Sequence, residues 1–295
     1  MPIEILQSPP IGKASYTFSF KNPVIEYAIG LSAFKVTYGL DDHWVRSLSI
    51  GFLPGLGSGI GDTPNDVYVI PQIVMVDDSN NSAKVADSVV IAVCIAVTKS
   101  PDPNTVIHSA KGLSSGRDSP VAVPPLRSGY TIGAAFQAGF TLSYTSDDHQ
   151  LLTASAGCGI EPGESTGMSI VPSANLQDLH NVVQVATVDA GYIVSSSSDL
   201  GLGSQHVQAQ THAATNVPME GMKSISTAVA VIQDWKVRFK DVHNVQTITV
   251  GAWGQLTANG NTVTIPGLYA DICDTSKNTQ DDDQSHCSVL VLALP

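Results

Sequence analysis

The chain has 295 residues, with 14 Lys plus Arg against 26 Asp plus Glu, a net charge of −12, and 43% hydrophobic against 14% charged residues. That apolar content is enough to build packed cores and excludes a disordered chain. The acidic balance excludes nucleic acid as a partner, because phosphate binding needs a basic face, and argues against docking on an anionic membrane. The longest apolar run, Val89 to Val97, is about half of the ~18–20 residues a membrane span requires. The N-terminus, Met1-Pro2-Ile3-Glu4-Ile5, has neither the basic nor the apolar region of a Sec signal. The expectation is a chain with no membrane span, in the cytoplasm, in a virion or exported by another route.

Taken in chain order, the first strand is expected at Tyr16 to Phe20. The next follows where Phe34, Val36 and Tyr38 alternate with Lys35 and Thr37. Period two with β-branched and aromatic residues marks a half-buried strand. The polar stretch Gly39-Leu40-Asp41-Asp42-His43 ends it, and Val45 to Ile50 resumes as a second strand, the pattern of a hairpin. Gly55-Leu56-Gly57-Ser58-Gly59-Ile60-Gly61 has the look of a phosphate loop but no βαβ context, so it reads as an inter-strand loop. Further strands are expected at Val69 to Val76 and Ser88 to Val97. Ser100-Pro101-Asp102-Pro103, Ser114-Ser115-Gly116 and Pro120 to Pro125 have linker composition.

The pattern then recurs. A single constant offset carries Phe34 onto Phe140, the Asp41-Asp42-His43 triplet onto Asp147-Asp148-His149, and Gly51 onto Gly157. A third version, Trp235-Lys236-Val237-Arg238-Phe239, then Asp241-Val242-His243 and Val245 to Gly251, needs one deletion. Downstream, Val69-Ile70-Pro71 to Asp77-Asp78 resembles Thr264-Ile265-Pro266 to Asp271, and the middle counterpart is sought at Gln184 to Asp189. Each unit is expected to close on a late strand: Val89 to Val97, His206 to Thr211, and Val289 to Leu294, with Ser195 to Ser198, Gly201 and Gly203 forming a loop in the middle unit. No long stretch shows a 3.6-residue period, and short strands at intervals of about 8–12 residues point to sandwiches or small barrels. The expected fold is therefore all-β: three tandem homologous β-sandwich modules, Ig-like or jelly-roll-like, over 1–99, 127–214 and 215–295, with a Pro/Ser-rich linker at 100–126. Such a chain can also form one pseudo-threefold unit whose modules mimic the subunits of a trimer.

The candidate ligand-binding residues are those of the repeated turn: Asp41, Asp42 and His43; Asp147, Asp148 and His149; and Asp241 and His243. Carboxylate plus imidazole suits a polar ligand or an ion such as Zn²⁺. The plainer reading is turn chemistry, in which Asp caps the turn through its side chain. Asp77, Asp78, Asp271 and Asp274 lie in oxygen-rich loops of the kind that hold Ca²⁺, without the register of a dedicated calcium loop. Otherwise no cofactor is expected. His180, His206 and His212 lack ligand spacing and read as surface histidines. Trp44, matched by Gln150 and Asn244, gives no stacking platform common to the three turns. Cys94 and Cys158 are expected as buried thiols; Cys273 and Cys287 flank an acidic loop on strands expected to be neighbours, where a disulfide is worth about 3 kcal/mol.

The closing strands raise a separate question. Val89, Ile91 and Val93, and Val289 and Val291, belong to strands apolar on both faces, while a two-layer sandwich needs one apolar face. The surplus face needs cover from another module, another subunit or a loop. With no catalytic constellation in view, the leading expectation is a non-enzymatic structural protein that joins copies of itself or a larger particle through these strands. The alternative is a multivalent, lectin-like carbohydrate-binding protein using the Asp-Asp-His turns, with or without Ca²⁺. A metal-dependent hydrolase at those turns is the third.

Overall fold

In the computed structural model, residues 3–57, 64–79, 81–84, 86–99, 105–114, 121–122, 132–162, 168–180, 184–195, 200–208, 212–276 and 280–295 are described. Positions 58–61 of the glycine-rich loop, most of the proposed linker and 196–198 of the serine run lie outside them. The chain is all-β, with no helix among the described residues. It opens with β1 (Ile3–Gln7), β2 (Tyr16–Ser19), β3 (Val24–Thr37), β4 (Ser47–Leu56), β5 (Asp66–Val76) and β6 (Val89–Thr98). There follow β7 (Thr105–Ser114), β8 (Val121–Ala122), β9 (Ile132–Tyr144), β10 (Leu151–Pro162), β11 (Met168–Gln177) and β12 (Gln184–Ser195). The last part holds β13 (Gly201–Gln208), β14 (Thr215–Pro218), β15 (Thr227–His243), β16 (Thr247–Trp253), β17 (Thr257–Asn259), β18 (Thr262–Ile265), β19 (Gly267–Cys273) and β20 (His286–Leu294).

The sheets do not follow the expected module boundaries. One sheet runs β1-β6-β3-β16-β19, a second β7-β12-β9-β4-β5-β2, a third β13-β20-β15-β10-β11-β8, and a small one β14-β18-β17. Each large sheet joins three strands of one stretch to strands from a neighbouring stretch, all antiparallel. The two strands flanking each Asp-Asp-His turn therefore do not pair as a hairpin. They diverge into different sheets: β3 pairs with β16, β9 with β4, and β15 with β10. Each turn is a corner between two sheets. Two further expectations change. Residues 105–114, inside the proposed linker, form β7 on the edge beside β12. The closing strand of the middle stretch is β12, while β13, which includes His206, pairs with β20 of the last stretch.

The three central strands β3, β9 and β15 share a device that bends them. Each carries one extra residue against its closing strand: Ser32, Ala138 and Gln233 fall where the pairing with β6, β12 and β20 shifts by one. A bulge of this kind kinks the strand and raises its twist. It stands two residues before Phe34, Phe140 and Trp235. Opposite it lie the three glycines matched in sequence: Gly251 against Ala33, Gly51 beside Gly139, and Gly157 against Asp234. A Cβ on Gly139 would stand 2.6 Å from the carbonyl oxygen of Ile50. Gly251, at φ 101°, faces the Ser32 carbonyl in the same way. Gly251 and Gly139 are thus sites of close backbone approach between neighbouring strands of one sheet, whereas Gly157 faces the side chains of Asp234 and Ser173.

Beyond the bulge, Phe34, Phe140 and Trp235 meet in one aromatic triangle, with ring centroids 5.4, 5.3 and 5.0 Å apart. They are nearly inaccessible and anchor a main core to which all three large sheets contribute. The indole Nε1 of Trp235 donates to Gln137 Oε1 at 3.2 Å, which satisfies its one polar atom inside the core.

A second core lies on the other face of the closing strands. Along β6, Val90, Ala92, Cys94 and Ala96 face the main core, while Val93, Ile95 and Val97 face the second. Along β20, Val289, Val291 and Ala293 face the main core and Leu290, Leu292 and Leu294 the second. Ile193 of β12 and Phe136 of β9 complete it. The apolar surplus of the closing strands is therefore covered by the chain's own other stretches. Ile91, Val93, Val289 and Val291 are buried and Val89 half-buried, so these residues present no surface for assembly. Each fully buried aliphatic side chain contributes about 1.5–3 kcal/mol relative to exposure, which explains why the alternation lapses in these strands.

Candidate functional site

The three Asp-Asp-His corners converge at one end of the fold, linked by main chain in a cycle. His43 and Val245 exchange two backbone hydrogen bonds of 3.0 and 2.8 Å, and Val45 and His149 exchange two of 2.9 and 3.1 Å. Leu151 pairs with His243 to close the ring. Val45, Leu151 and Val245 are fully buried and form the floor beneath the corners. The spacing is legible: in each corner the apolar residue follows the histidine by two positions and so shares its face of an extended chain.

Each histidine is held in the same way. Its ring packs on an aromatic at the end of the central strand, with centroids 4.9 Å apart for Tyr38 and His43, 4.7 Å for Tyr144 and His149, and 5.2 Å for Phe239 and His243. Its Nδ1 approaches a buried carboxylate: 3.5 Å to Asp77, 3.1 Å to Asp178 and 3.4 Å to Asp274. The three aspartate side chains are 4% exposed. Asp77 also accepts from the backbone of Ser79 and Asn81 and from the Asn81 amide, at 2.9, 2.8 and 2.6 Å. Asp178 accepts from the His180 backbone at 2.8 Å. These carboxylates anchor turns and orient the histidines. Burial raises the pKa of Tyr38 well above the usual tyrosine range, reinforced by Asp77 and Asp148; burial, with Asp178, does the same for Tyr144.

The remaining predicted residues divide between clamps and open surface. Asp42 accepts from the Thr275 backbone and hydroxyl at 3.1 and 2.8 Å and from the Asn244 amide at 3.5 Å. Asp148 and Asp78 each accept from the other's backbone N–H, at 3.1 and 2.7 Å, and Arg46 reaches Asp78 at 2.6 Å. So the second residue of one corner grips the residue after the buried aspartate of another stretch. At the third corner the corresponding residues are Val242 and Leu179, both apolar. Asp41, Asp147 and Asp241 are exposed. Asp271 pairs instead with His212 at 2.9 Å, and His212 stacks on Tyr269. Asp77, Asp78, Asp271 and Asp274 do not converge, and no group of three or more His, Cys, Asp or Glu able to hold a metal ion occurs among the described residues. Cys273 lies on β19 and Cys287 on β20, in different sheets, and all four cysteines are free thiols rather than a disulfide pair.

Sequence reading missed Asp178. It sought the middle counterpart at Gln184 to Asp189, but that strand is the closing one, and Asp189 caps the backbone of Gly112. The usable signal was local: Met75-Val76-Asp77, Leu176-Gln177-Asp178 and Ile272-Cys273-Asp274 each place a buried apolar residue two positions before the aspartate.

Two recesses open between the corners. The first, about 330 Å³, is lined by Asp42, His43, Trp44, Asp77, Ser79, Asn81, Asp148 and Asn244. The second, about 150 Å³, is lined by Trp44, His149, Gln150, Asp178, Leu179, His180 and Val242. Trp44, 47% exposed, forms a wall of both. A larger cleft of about 620 Å³ lies between β1 and the start of β15, but none of its lining residues is titratable. The chemistry is concentrated at the corner end. The chain matches no protein-family model, and no curated protein is significantly similar to it.

Proposed function

We propose that the chain is a non-enzymatic carbohydrate-binding protein that engages glycans at its corner end. The observation that carries this reading is the first recess: an open, water-filled-sized hollow in which carboxylates, amides, a hydroxyl and an imidazole converge beside an exposed indole. Carboxylates accept from vicinal hydroxyls, Asn side chains both donate and accept, and the indole face covers the C–H side of a sugar ring. Few but convergent polar groups with one apolar wall are what a small polar ligand needs for orientation. Several recesses on one rigid end would add avidity. The test is a glycan array read with Ca²⁺ and with chelator. Specific binding lost in Asp148→Ala and Trp44→Ala supports the reading; a blank array under both conditions removes it.

One observation favours a second reading, self-association. On the outer face of β4 and β5, Leu53 and Ile70 are cross-strand partners, and Leu53, Ile70 and Val74 are all exposed. Such a row is an interaction surface of the ordinary kind. Light scattering on a sizing column tests it: an oligomer that dissociates in Leu53→Asp supports it, and a monomer at micromolar concentration removes it.

A further inference from the structure

The two recesses occupy equivalent places around the cycle of corners, yet their walls differ in kind. His149 stands where His43 stands, Asp178 where Asp77 stands, and Gln150 where Trp44 stands. The clamp beside the first recess is the reciprocal Asp148–Asp78 pair. The clamp beside the second is Val242 and Leu179, and Leu179 is 56% exposed at a turn, where polar residues are the rule. The polar groups of the second recess are two imidazoles, an amide and the Asp178 carboxylate, which lies against His149. One of them, the Nε2 of His149, is buried without a hydrogen-bond partner, a state that costs free energy unless a ligand or water supplies the bond.

We propose that this second recess is a chemically distinct binding site, taking a saccharide that carries an alkyl or acyl substituent, and that it is coupled to the first site through the shared Trp44. The proposal rests on the carbohydrate reading above and refines it. The substituent lies against Leu179 and Val242, where the first recess offers the Asp148 carboxylate, which would reject it. A ring hydroxyl or amide pairs with the exposed side-chain amide of Gln150. Because Trp44 walls both recesses, a ligand that draws the indole to one side alters the other, so the two sites do not fill independently.

The test is calorimetric titration with matched pairs of monosaccharides: glucose, galactose and mannose, each against its N-acetylamino and O-methyl derivatives. The variants are Leu179→Asp and Val242→Asp, which copy the clamp of the sibling corner, with Asp148→Ala and Trp44→Ala as contrasts; thermal melts verify folding. Leu179→Asp and Val242→Asp are expected to weaken binding of the substituted sugar about ten-fold or more, the scale of losing an apolar contact in a pocket. They should leave the unsubstituted sugar unchanged. Asp148→Ala should do the reverse, and Trp44→Ala should weaken both. Wild-type protein that binds none of the panel overturns the carbohydrate reading and this one with it. Binding that is indifferent to Leu179→Asp and Val242→Asp, or that falls equally for both sugar types, overturns this proposal alone.

Discussion

The Nδ1 of His149 lies 3.1 Å from Oδ2 of Asp178, a residue that belongs to a different strand connection and whose side chain is 4% exposed. The same contact is made by His43 with Asp77 and by His243 with Asp274. Each corner thus ties the turn between two sheets to the loop beyond a third strand. The carboxylate, fixed by its own turn, orients the imidazole, and the open side of each corner is left to the residues around it.

Removing an imidazole strands its carboxylate. His149→Ala is expected to destabilise the fold by about 1–3 kcal/mol, the cost of a buried polar group that loses its partner. Asp178→Asn keeps a hydrogen-bonding oxygen and should cost less. Urea unfolding monitored by tryptophan fluorescence distinguishes the two. Equal stability of His149→Ala and the parent protein would mean that the corner contacts do not hold the fold together.

The two glycines at the β9 bulge, Gly139 beside Ala138 and Gly51 on the facing strand, separate in a similar way. In Gly139→Ala the new methyl meets the Ile50 carbonyl at 2.6 Å, so backbone must move. The loss should be about 1–3 kcal/mol, the usual cost of overpacking. At Gly51 nothing lies within 4 Å of the added methyl, and Gly51→Ala should fall within about 0.5 kcal/mol of the parent. A pair of thermal melts gives the comparison.

How far the sequence disclosed this arrangement can be argued from particular residues. Phe34, Phe140 and Trp235 were legible as equivalent core positions because strand alternation and a distance to His and Gly that is equal in two copies and one residue shorter in the third mark them, and they do share one core. What those marks leave open is pairing. Antiparallel strands joined by a short polar turn usually form a hairpin, and nothing local distinguishes such a turn from a corner at which the strands part. The distinction is made by long-range partners: β16 for β3, β4 for β9, β10 for β15. The doubly apolar closing strands were a true signal of extra cover, but composition does not say whether that cover comes from another chain or, as here, from the same one. Asp178 was hidden because the interval from histidine to aspartate differs in each stretch and is shortest in the middle one: 34 residues from His43 to Asp77, 29 from His149 to Asp178 and 31 from His243 to Asp274. Only the buried Leu176 two residues earlier marks it.

The thiols give an independent check on strand neighbours. Burial pushes Cys94, Cys158 and Cys287 well above the ordinary thiol range, with Asp234 adding to it at Cys158 and Cys287, and raises half-buried Cys273. Since the thiolate is the reactive form, native protein at neutral pH should react slowly with a thiol reagent at Cys273 alone. In denaturant without reductant all four should titrate, because each is a free thiol. A count of two in denaturant would show a disulfide and would place β19 and β20 side by side rather than in separate sheets.

Acid titration probes the clamp at Asp42. Burial acts to raise this carboxyl, but hydrogen bonds from the Thr275 hydroxyl and backbone and from the Asn244 amide outweigh it, and the pKa lies below the usual range. A carboxyl depressed on folding contributes stability above its unfolded pKa of about 3.9, and loses that contribution as pH falls through the lower folded value. Asp42 is half-buried and open to solvent on one side, so the contribution is small, well under ~1 kcal/mol after screening. The effect is better read at the group itself. In a carbon-detected titration of the side-chain carboxyl, the Asp42 midpoint should fall below about 3.9 in the parent protein and rise in Thr275→Val, which lacks the hydroxyl donor. Should Asp42 titrate at the ordinary value in both proteins, the side-chain contact between this corner and the Asp274 loop is absent in solution.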